Sequence, residues 1–156
     1  MVAESIAIQD CYGDPYSHCF GCGRNNPQGH QLKSYWHGDE TAARFTPPEH
    51  YTGGVPDHVY GGLIASLFDC HGTASAAAFN QRDKGGHLEE PETLERCVTA
   101  KLEVEFLSPT PMGKELVLRG KLVDIEGRKV SVSMTLEADG LTRAQANMLA
   151  IVLPVA

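Results

Sequence analysis

The sequence lacks an excess of positive charge. Its 156 residues include 13 Lys and Arg against 20 Asp and Glu, which gives a formal net charge of −7. Proteins that bind nucleic acid mainly through the phosphate backbone have a basic surface instead. We therefore expect no nucleic-acid partner, although a few local cations could still hold a small anionic ligand.

Long apolar segments are also missing. No stretch approaches the roughly 20 apolar residues that cross a bilayer, and the first ten residues, MVAESIAIQD, have neither the basic start nor the apolar run of a secretory signal. We expect a soluble cytoplasmic protein with no membrane partner. No internal repeat or linker divides the chain, so we predict a single domain over residues 1–156, in which residues 1–30 form an N-terminal extension.

The cysteines form no recognisable disulfide framework. There are five, an odd number, and in a reducing compartment we expect free thiols. Cys19 and Cys22 have the CxxC spacing of half a zinc ribbon, but Cys70 and Cys97 are too isolated in the sequence to supply the other half. We expect a tight glycine-rich turn with buried thiols, no metal and no cofactor.

One segment has the composition of a long helix. Residues 60–79 are rich in Ala, Leu and Ile and repeat their large apolar residues at helical spacing. Most other periodic segments alternate apolar and polar residues, as half-buried strands do, and Gly-containing pairs such as Asp139-Gly140 separate them. We predict six strands, over residues 31–37, 41–45, 98–106, 116–122, 130–136 and 142–153.

This order of elements has no βαβ alternation. Two strands, one long helix and about four strands favour an α+β fold, in which an antiparallel sheet packs against a single helix. If the sheet is strongly curved, it wraps around that helix.

The predicted helix has two faces. At about 100° per residue, one face carries residues suited to packing on a sheet: Leu63, Ile64, Leu67, His71, Ala74 and Ala78. The other face carries small residues around Asp69: Gly62, Ala65, Ser66, Gly72, Thr73 and Ala76. Exposed helix faces usually carry larger polar side chains, so we interpret Asp69 as a catalytic candidate, with a solvated surface acid as the alternative. His71 points away from Asp69 and is predicted to be a hydrogen-bonded core histidine.

Gly61 and Gly62 begin the predicted helix. Glycine permits a tight entry turn. The missing side chains also expose the N–H groups of the first helical turn, whose partial positive charge can polarise a carbonyl oxygen. The two interpretations are compatible.

Two segments resemble a known family, the hot-dog fold thioesterases, and within it the PaaI-type acyl-CoA thioesterases. Residues 19–29, CFGCGRNNPQG, are similar to the family's N-terminal signature, and residues 60–72, YGGLIASLFDCHG, to its central-helix motif. The likeness extends from about Cys19 to Pro154. It implies a six-stranded antiparallel sheet wrapped around the helix, edge-to-edge homodimers or dimers of dimers, and acyl-CoA sites at the subunit interface.

The resemblance also implies roles for individual residues. Asp69 matches the family's helix carboxylate, and the Gly61-Gly62 pair matches the backbone amides that polarise the carbonyl. Tyr60 stands where the family often has histidine. We predict further substrate contacts from residues near these groups: His58, Tyr60, Ser66 and Thr73.

We predict hydrolysis of an acyl-CoA or aryl-CoA thioester to the free acid and CoA. Asp69 would deprotonate a water or attack the carbonyl carbon directly. Arg128 and Lys129 are candidates for binding the CoA phosphates, with Arg82 and Lys84 as others. Two alternatives stay open: a non-catalytic module that binds acyl-CoA or an aromatic metabolite, and a zinc-stabilised interaction domain.

Overall fold

A computed structural model of the chain describes residues 5–154, so residues 1–4 of the predicted N-terminal extension lie outside it. One long helix, α1, spans Gly61–Asp83, and three short 3-10 helices span Ile8–Cys11, Asp14–Tyr16 and Pro91–Thr93. Six strands complete the fold: β1 Ser34–His37, β2 Glu40–Phe45, β3 Cys97–Phe106, β4 Leu116–Glu126, β5 Lys129–Ala138 and β6 Leu141–Val152. None of the helices in residues 5–154 is long and apolar enough to span a membrane.

The strands form one antiparallel sheet in the order β1-β2-β4-β5-β6-β3. Tight turns join β4, β5 and β6. Asp139 and Gly140 both have positive φ, 55° and 74°, which is the turn geometry that matches the twist of a hairpin. β6 lies between β5 and β3 and is therefore a central strand of the sheet. The predicted α+β fold, with about six antiparallel strands around one helix, is confirmed.

Helix α1 contacts all six strands of the sheet. It ends at Asp83 rather than at Phe79, because Asn80 and Gln81 are buried and their side-chain amides donate to the segment that follows the helix. Polar residues that suggest a loop in the sequence therefore continue the helix. Arg82 lies in the last helical turn.

Gly72 departs from the predicted face pattern. A Cβ atom there would lie 2.5 Å from Met148 Cε and 2.9 Å from Met134 Cε, so Gly72 faces the sheet. Its angular position, about 60° from Asp69, falls at the boundary between the two helix faces. The prediction that Gly72 belongs to the surface around Asp69 is wrong.

The N-terminal extension packs on the side of α1 that the sheet leaves free. Ile8 and Tyr12 of this segment are buried in the core, and Cys19 Sγ lies 3.7 Å from Cys70 Sγ. Cys70 and Gly72 are separated by about 200° around the helix. Since Cys70 contacts the extension and Gly72 contacts the sheet, the two layers cover opposite sides of α1.

Candidate active site

Asp69 lies in the third turn of α1, next to the edge strand β3. Its side chain is half-buried, and its Oδ1 accepts a 2.5 Å hydrogen bond from Thr99 Oγ1. The residues about one turn earlier, Ala65 and Ser66, are small and also half-buried. The carboxylate is thus held in one orientation on a surface that a ligand can approach.

The position of Thr99 follows from a β-bulge. Regular alternation over residues 98–106 predicts that Val98 and Ala100 face the core and that Thr99 faces away. In the structure, Thr99 and Lys101 pair with consecutive residues of β6, so Ala100 is an extra residue. Because of the bulge, the side chains before Ala100 point to the sheet faces opposite to those that regular alternation predicts. Val98 is consequently 43% exposed, and Thr99 turns toward the helix. Sequence alternation alone gives no signal for this contact.

Beyond the bulge, the inner face of β3 is apolar. Leu102, Val104 and Phe106 pair with buried residues of β6 and therefore lie on the sheet face that covers α1. Leu102 and Val104 are only half-buried, and Phe106 is 54% exposed. Such an uncovered apolar strip is typical of an interaction surface.

The first turn of α1 offers two backbone donors. Tyr60 is the N-cap residue, and its side chain makes no capping hydrogen bond. Within residues 5–154, the N–H groups of Gly61 and Gly62 contact no acceptor. Such groups at a helix start attract partial negative charge. The ring of Tyr60 lies over Gly62 and leaves no room there for a Cβ atom.

A cavity of about 550 Å³ opens beside this turn. Gly61, His58 and Phe106 line it, together with residues of the adjacent loops. Of the residues predicted to contact substrate before the helix, His58 lies at the cavity, and Tyr60 is 54% exposed beside it.

The carboxylate and the first-turn amides are far apart within one chain. Eight residues of helix separate Gly61 from Asp69, which at 1.5 Å per residue is about 12 Å. A thioester carbonyl has to lie about 3 Å from both its hydrogen-bond donors and the attacking atom. One chain therefore does not bring Asp69 and these amides to the same thioester bond, although both lie beside β3.

The hydroxyl groups of Ser66 and Thr73 are engaged with the helix backbone. Ser66 Oγ donates to Leu63 O at 2.7 Å, and Thr73 Oγ1 donates to Asp69 O at 3.2 Å. Ser66 remains half-exposed, whereas Thr73 is 6% exposed. Of the two predicted substrate contacts, Ser66 is the accessible one.

Arg128 and Lys129 are exposed at the turn between β4 and β5. Lys129 pairs with Ile151, and Ile151 pairs with Val98 at the start of β3. Two strand spacings, about 10 Å, therefore separate this turn from β3. The two cations lie at the end of the sheet where the carboxylate lies, without contacting it.

The alternative phosphate contacts, Arg82 and Lys84, have partners within the chain, as does Arg128, whose Nε donates to Val152 O at 2.9 Å. The guanidinium of Arg82 stacks 4.4 Å from the ring centroid of Trp36, and Lys84 forms an ion pair with Glu95. Both lie at the C-terminal end of α1, far from the first-turn amides.

His71 is fully buried in a polar network. Its Nδ1 lies 2.8 Å from Ser34 Oγ, and its Nε2 lies 3.2 Å from Thr41 Oγ1. Because Gln9 Nε2 donates to Ser34 Oγ, we assign the Ser34 hydroxyl as donor to Nδ1 and the ring proton to Nε2. Burial lowers the pKa of His71 to about 4. The predicted core histidine is confirmed, and it makes no contact with Asp69.

A cluster of three thiols forms where the extension meets α1. The Sγ atoms of Cys19, Cys22 and Cys70 all lie within 4.8 Å of one another. The predicted tight turn is present, since Gly21 and Gly23 leave no room for a Cβ atom. Cys70 is isolated in the sequence, and only the fold brings it to the CxxC pair. In the described part of the chain, these three residues form the one cluster that could hold a metal ion.

A sheet of six antiparallel strands wrapped around a single long helix is the hot-dog fold. A family model described as the thioesterase superfamily matches residues 57–144. This match covers more than half of the chain, which therefore belongs to the thioesterase superfamily.

Individual proteins that resemble this chain in sequence or structure also carry thioesterase descriptions or share its fold. The rat protein named acyl-coenzyme A thioesterase THEM4 is 32% identical over 85 residues, which are 54% of this chain but only 30% of that protein. The crystal structure of a thioesterase superfamily protein from Shewanella loihica is 43% identical, with a TM-score of 0.68, and the match covers 92% of this chain and 100% of that one. The PaaI protein of E. coli shares the fold, with 12% identity, a TM-score of 0.64, and coverage of 80% of this chain and 81% of that one.

Proposed function

We propose that the protein hydrolyses an acyl-CoA or aryl-CoA thioester to the free acid and CoA. The observation that carries this proposal is a carboxylate, Asp69, fixed by Thr99 and flanked by small residues and by the apolar inner face of β3. A reactive acid beside an uncovered apolar strip suits a substrate with an acyl chain next to its scissile bond. The name of the rat relative supports the same substrate class.

A second copy of the chain would complete the site. β3 is a ten-residue strand at the edge of the sheet, and antiparallel pairing of two such edges is a two-fold arrangement. The same axis would make the two α1 helices antiparallel neighbours. With the axis near Ala65, midway between Gly61 and Asp69, the carboxylate of one helix would face the first-turn amides of the other. We propose a homodimer on this ground, which two dimers could extend to a tetramer.

The chemistry then follows from the groups present. The N–H groups of Gly61 and Gly62 stabilise the negative charge that develops on the carbonyl oxygen. Along one route, Asp69 takes a proton from a water, whose oxygen attacks the carbonyl carbon as the CoA thiolate leaves. Along the other, an Asp69 oxygen attacks directly, CoA leaves, and water hydrolyses the mixed anhydride. Both routes give one acid and one CoA.

The remaining predicted residues would bind the substrate. His58 and Tyr60 flank the helix start, and Ser66 lies between the amides and the carboxylate. Thr73 would act only through the backbone of Asp69, to which its hydroxyl donates. Arg128 and Lys129 would contact the CoA phosphates from the exposed turn, since cationic side chains bind phosphate oxygens.

Release of free thiol from a panel of short-chain, long-chain and aryl-CoA esters tests the proposal. We expect Asp69→Asn to lower kcat by at least about 10²-fold, with an unchanged unfolding temperature. Asp83→Asn, an exposed acid at the end of the same helix, is the matched control and should retain full activity. An Asp69→Asn variant as fast as the parent chain would remove Asp69 from the mechanism.

A non-catalytic binding module is the second candidate. The ring of Tyr60 lies over Gly62, and a ring that stays there during binding would keep a thioester carbonyl away from one amide. Tight binding of acyl-CoA without thiol release, and release on Tyr60→His, would favour this candidate.

A further inference from the structure

Three cysteine side chains converge at a place the proposed hydrolysis does not use. Cys19 and Cys22 lie in the CxxC turn, and Cys70 lies on α1. Cys22 and Cys70 are 2% and 5% exposed, and Cys19 is half-buried. We propose that these three thiols, as thiolates, bind one zinc ion at the junction of the N-terminal extension and the central helix.

The sulfur positions fit a single metal ion. Zinc–thiolate bonds of about 2.3 Å in a tetrahedron place neighbouring sulfur atoms about 3.8 Å apart. Cys19 Sγ and Cys70 Sγ are 3.7 Å apart, and every pair in the cluster lies within 4.8 Å. A metal ion therefore needs only small side-chain rotations, with no movement of the backbone.

The CxxC turn is built to present its sulfur atoms. The turn closes on itself, because Gly23 N donates to Cys19 O at 2.7 Å. A Cβ atom at Gly21 would collide with Cys70 Sγ, and one at Gly23 would lie 2.5 Å from Cys19 N. Glycine at these two positions lets the turn close tightly and lets the helix cysteine reach it.

The charges around the cluster also suit a metal. Zinc binding displaces the thiol protons, since thiolates are the ligands. Three thiolates and one Zn²⁺ carry a net charge of one negative unit, which the nearby Arg96 guanidinium offsets.

The fourth ligand would come from solvent. Among residues 5–154, no fourth His, Cys, Asp or Glu joins the cluster, and the partial exposure of Cys19 leaves one side open. A water or an added thiol would complete the tetrahedron. The ion would join the extension to α1 at Cys70, the residue that directly follows Asp69.

Metal titration of the complete, fully reduced chain under anaerobic conditions tests the site without any substitution. We expect one zinc per chain. X-ray absorption should show three sulfur neighbours at about 2.3 Å and one lighter ligand. Cobalt(II) should give the intense visible bands of a tetrahedral ion and a thiolate charge-transfer band. Absence of stoichiometric zinc binding, or a coordination shell with fewer than three sulfur atoms, would overturn the proposal.

Substitutions locate the ion. Cys70→Ser should weaken zinc binding by more than about 100-fold, since outer-shell partners alone are worth 10- to 100-fold. Cys11→Ser, at a half-buried cysteine outside the cluster, is the matched control and should bind as the parent does. Equal affinity in the Cys70→Ser and parent chains would exclude the helix cysteine and the proposal with it. Metal content is independent of thioester hydrolysis, so failure of one proposal leaves the other standing.

Discussion

Thr99 Oγ1 donates a hydrogen bond to Asp69 Oδ1, and this bond ties the edge strand of the sheet to the central helix. The contact joins a residue of the β-bulge to the carboxylate proposed to act on the thioester. Thr99 touches the acid and not the substrate, and it is therefore a positioning residue.

Replacing Thr99 by Val removes the hydroxyl with little change of shape. A hydrogen bond to a charged group contributes about 1.5–3 kcal/mol, so we expect kcat to fall by roughly 10- to 100-fold with KM almost unchanged. Thr99→Ser keeps the hydroxyl and should restore most of kcat. Steady-state thiol release measures both constants. A fall of kcat in Thr99→Ser equal to that in Thr99→Val would contradict the positioning role of the Thr99 hydroxyl.

Gly61→Pro deletes one backbone donor from the helix start. Proline is favoured at the first helical position, and Tyr60 before it has φ −58° and ψ 126°, a conformation that the residue preceding proline tolerates. The chain should fold and lose about 10²–10³ in kcat. Gly61→Ala keeps the N–H group, and its Cβ would lie 3.5 Å from Phe106, an ordinary contact. An Ala variant as slow as the Pro variant would show that the amide is not the cause.

Mixing two inactive chains tests whether the site is shared between subunits. In a dimer of one Asp69→Asn chain and one Gly61→Pro chain, one site combines an intact carboxylate with intact amides. After unfolding and refolding an equal mixture, we expect about a quarter of the parent activity, since half of the dimers are mixed and each has one intact site. The two variants refolded separately provide the baseline. Activity no higher than this baseline would place the site within a single chain.

The sequence predicts the fold better than it predicts the contacts of the site. Strand alternation and the single Ala-rich helix carry enough information for the α+β fold, and the glycine pair marks the helix start. The sequence does not indicate the contact of Thr99 with Asp69, because one extra residue, Ala100, reverses the alternation of the residues before it. The sequence gives no signal for the Cys70 contact, because its partner Cys19 is 51 residues away in the chain. Both contacts depend on how two distant elements meet, which a local pattern does not encode.

The stability of the chain should depend on pH through His71. Its pKa in the folded state is about 4, below the value of about 6.5 in an unfolded chain. The contribution of neutral His71 to the free energy of unfolding is fully present above pH 6.5. It is lost as the pH falls toward 4, at about 1.4 kcal/mol per pH unit. Urea unfolding at pH 7 and pH 5 should show this difference. His71→Gln should reduce the difference in stability between pH 7 and pH 5, whereas His37→Gln, at an exposed residue, should leave it unchanged. An equal reduction in both variants would contradict the assignment of this pH dependence to His71.

Reversing the charge of Arg128 and Lys129 tests their contact with CoA. The double change to Glu should raise KM for a CoA ester by about 10-fold, because opposite charges are replaced by repulsive ones. KM for a truncated thioester without the nucleotide phosphates should change little. Lys114→Glu, at the opposite end of β4, is the control. An equal rise for both substrates would remove the pair from the binding site.

The two edges of the sheet differ greatly in length. β1 has four residues and β3 has ten. Proteins with two long free edges can add chains without limit and form fibres. In the described part of this chain β1 offers few unpaired backbone groups, so pairing through β3 leaves no comparable edge for another molecule. The dimer that we propose through this strand would therefore close at a pair and give no starting point for an open-ended filament.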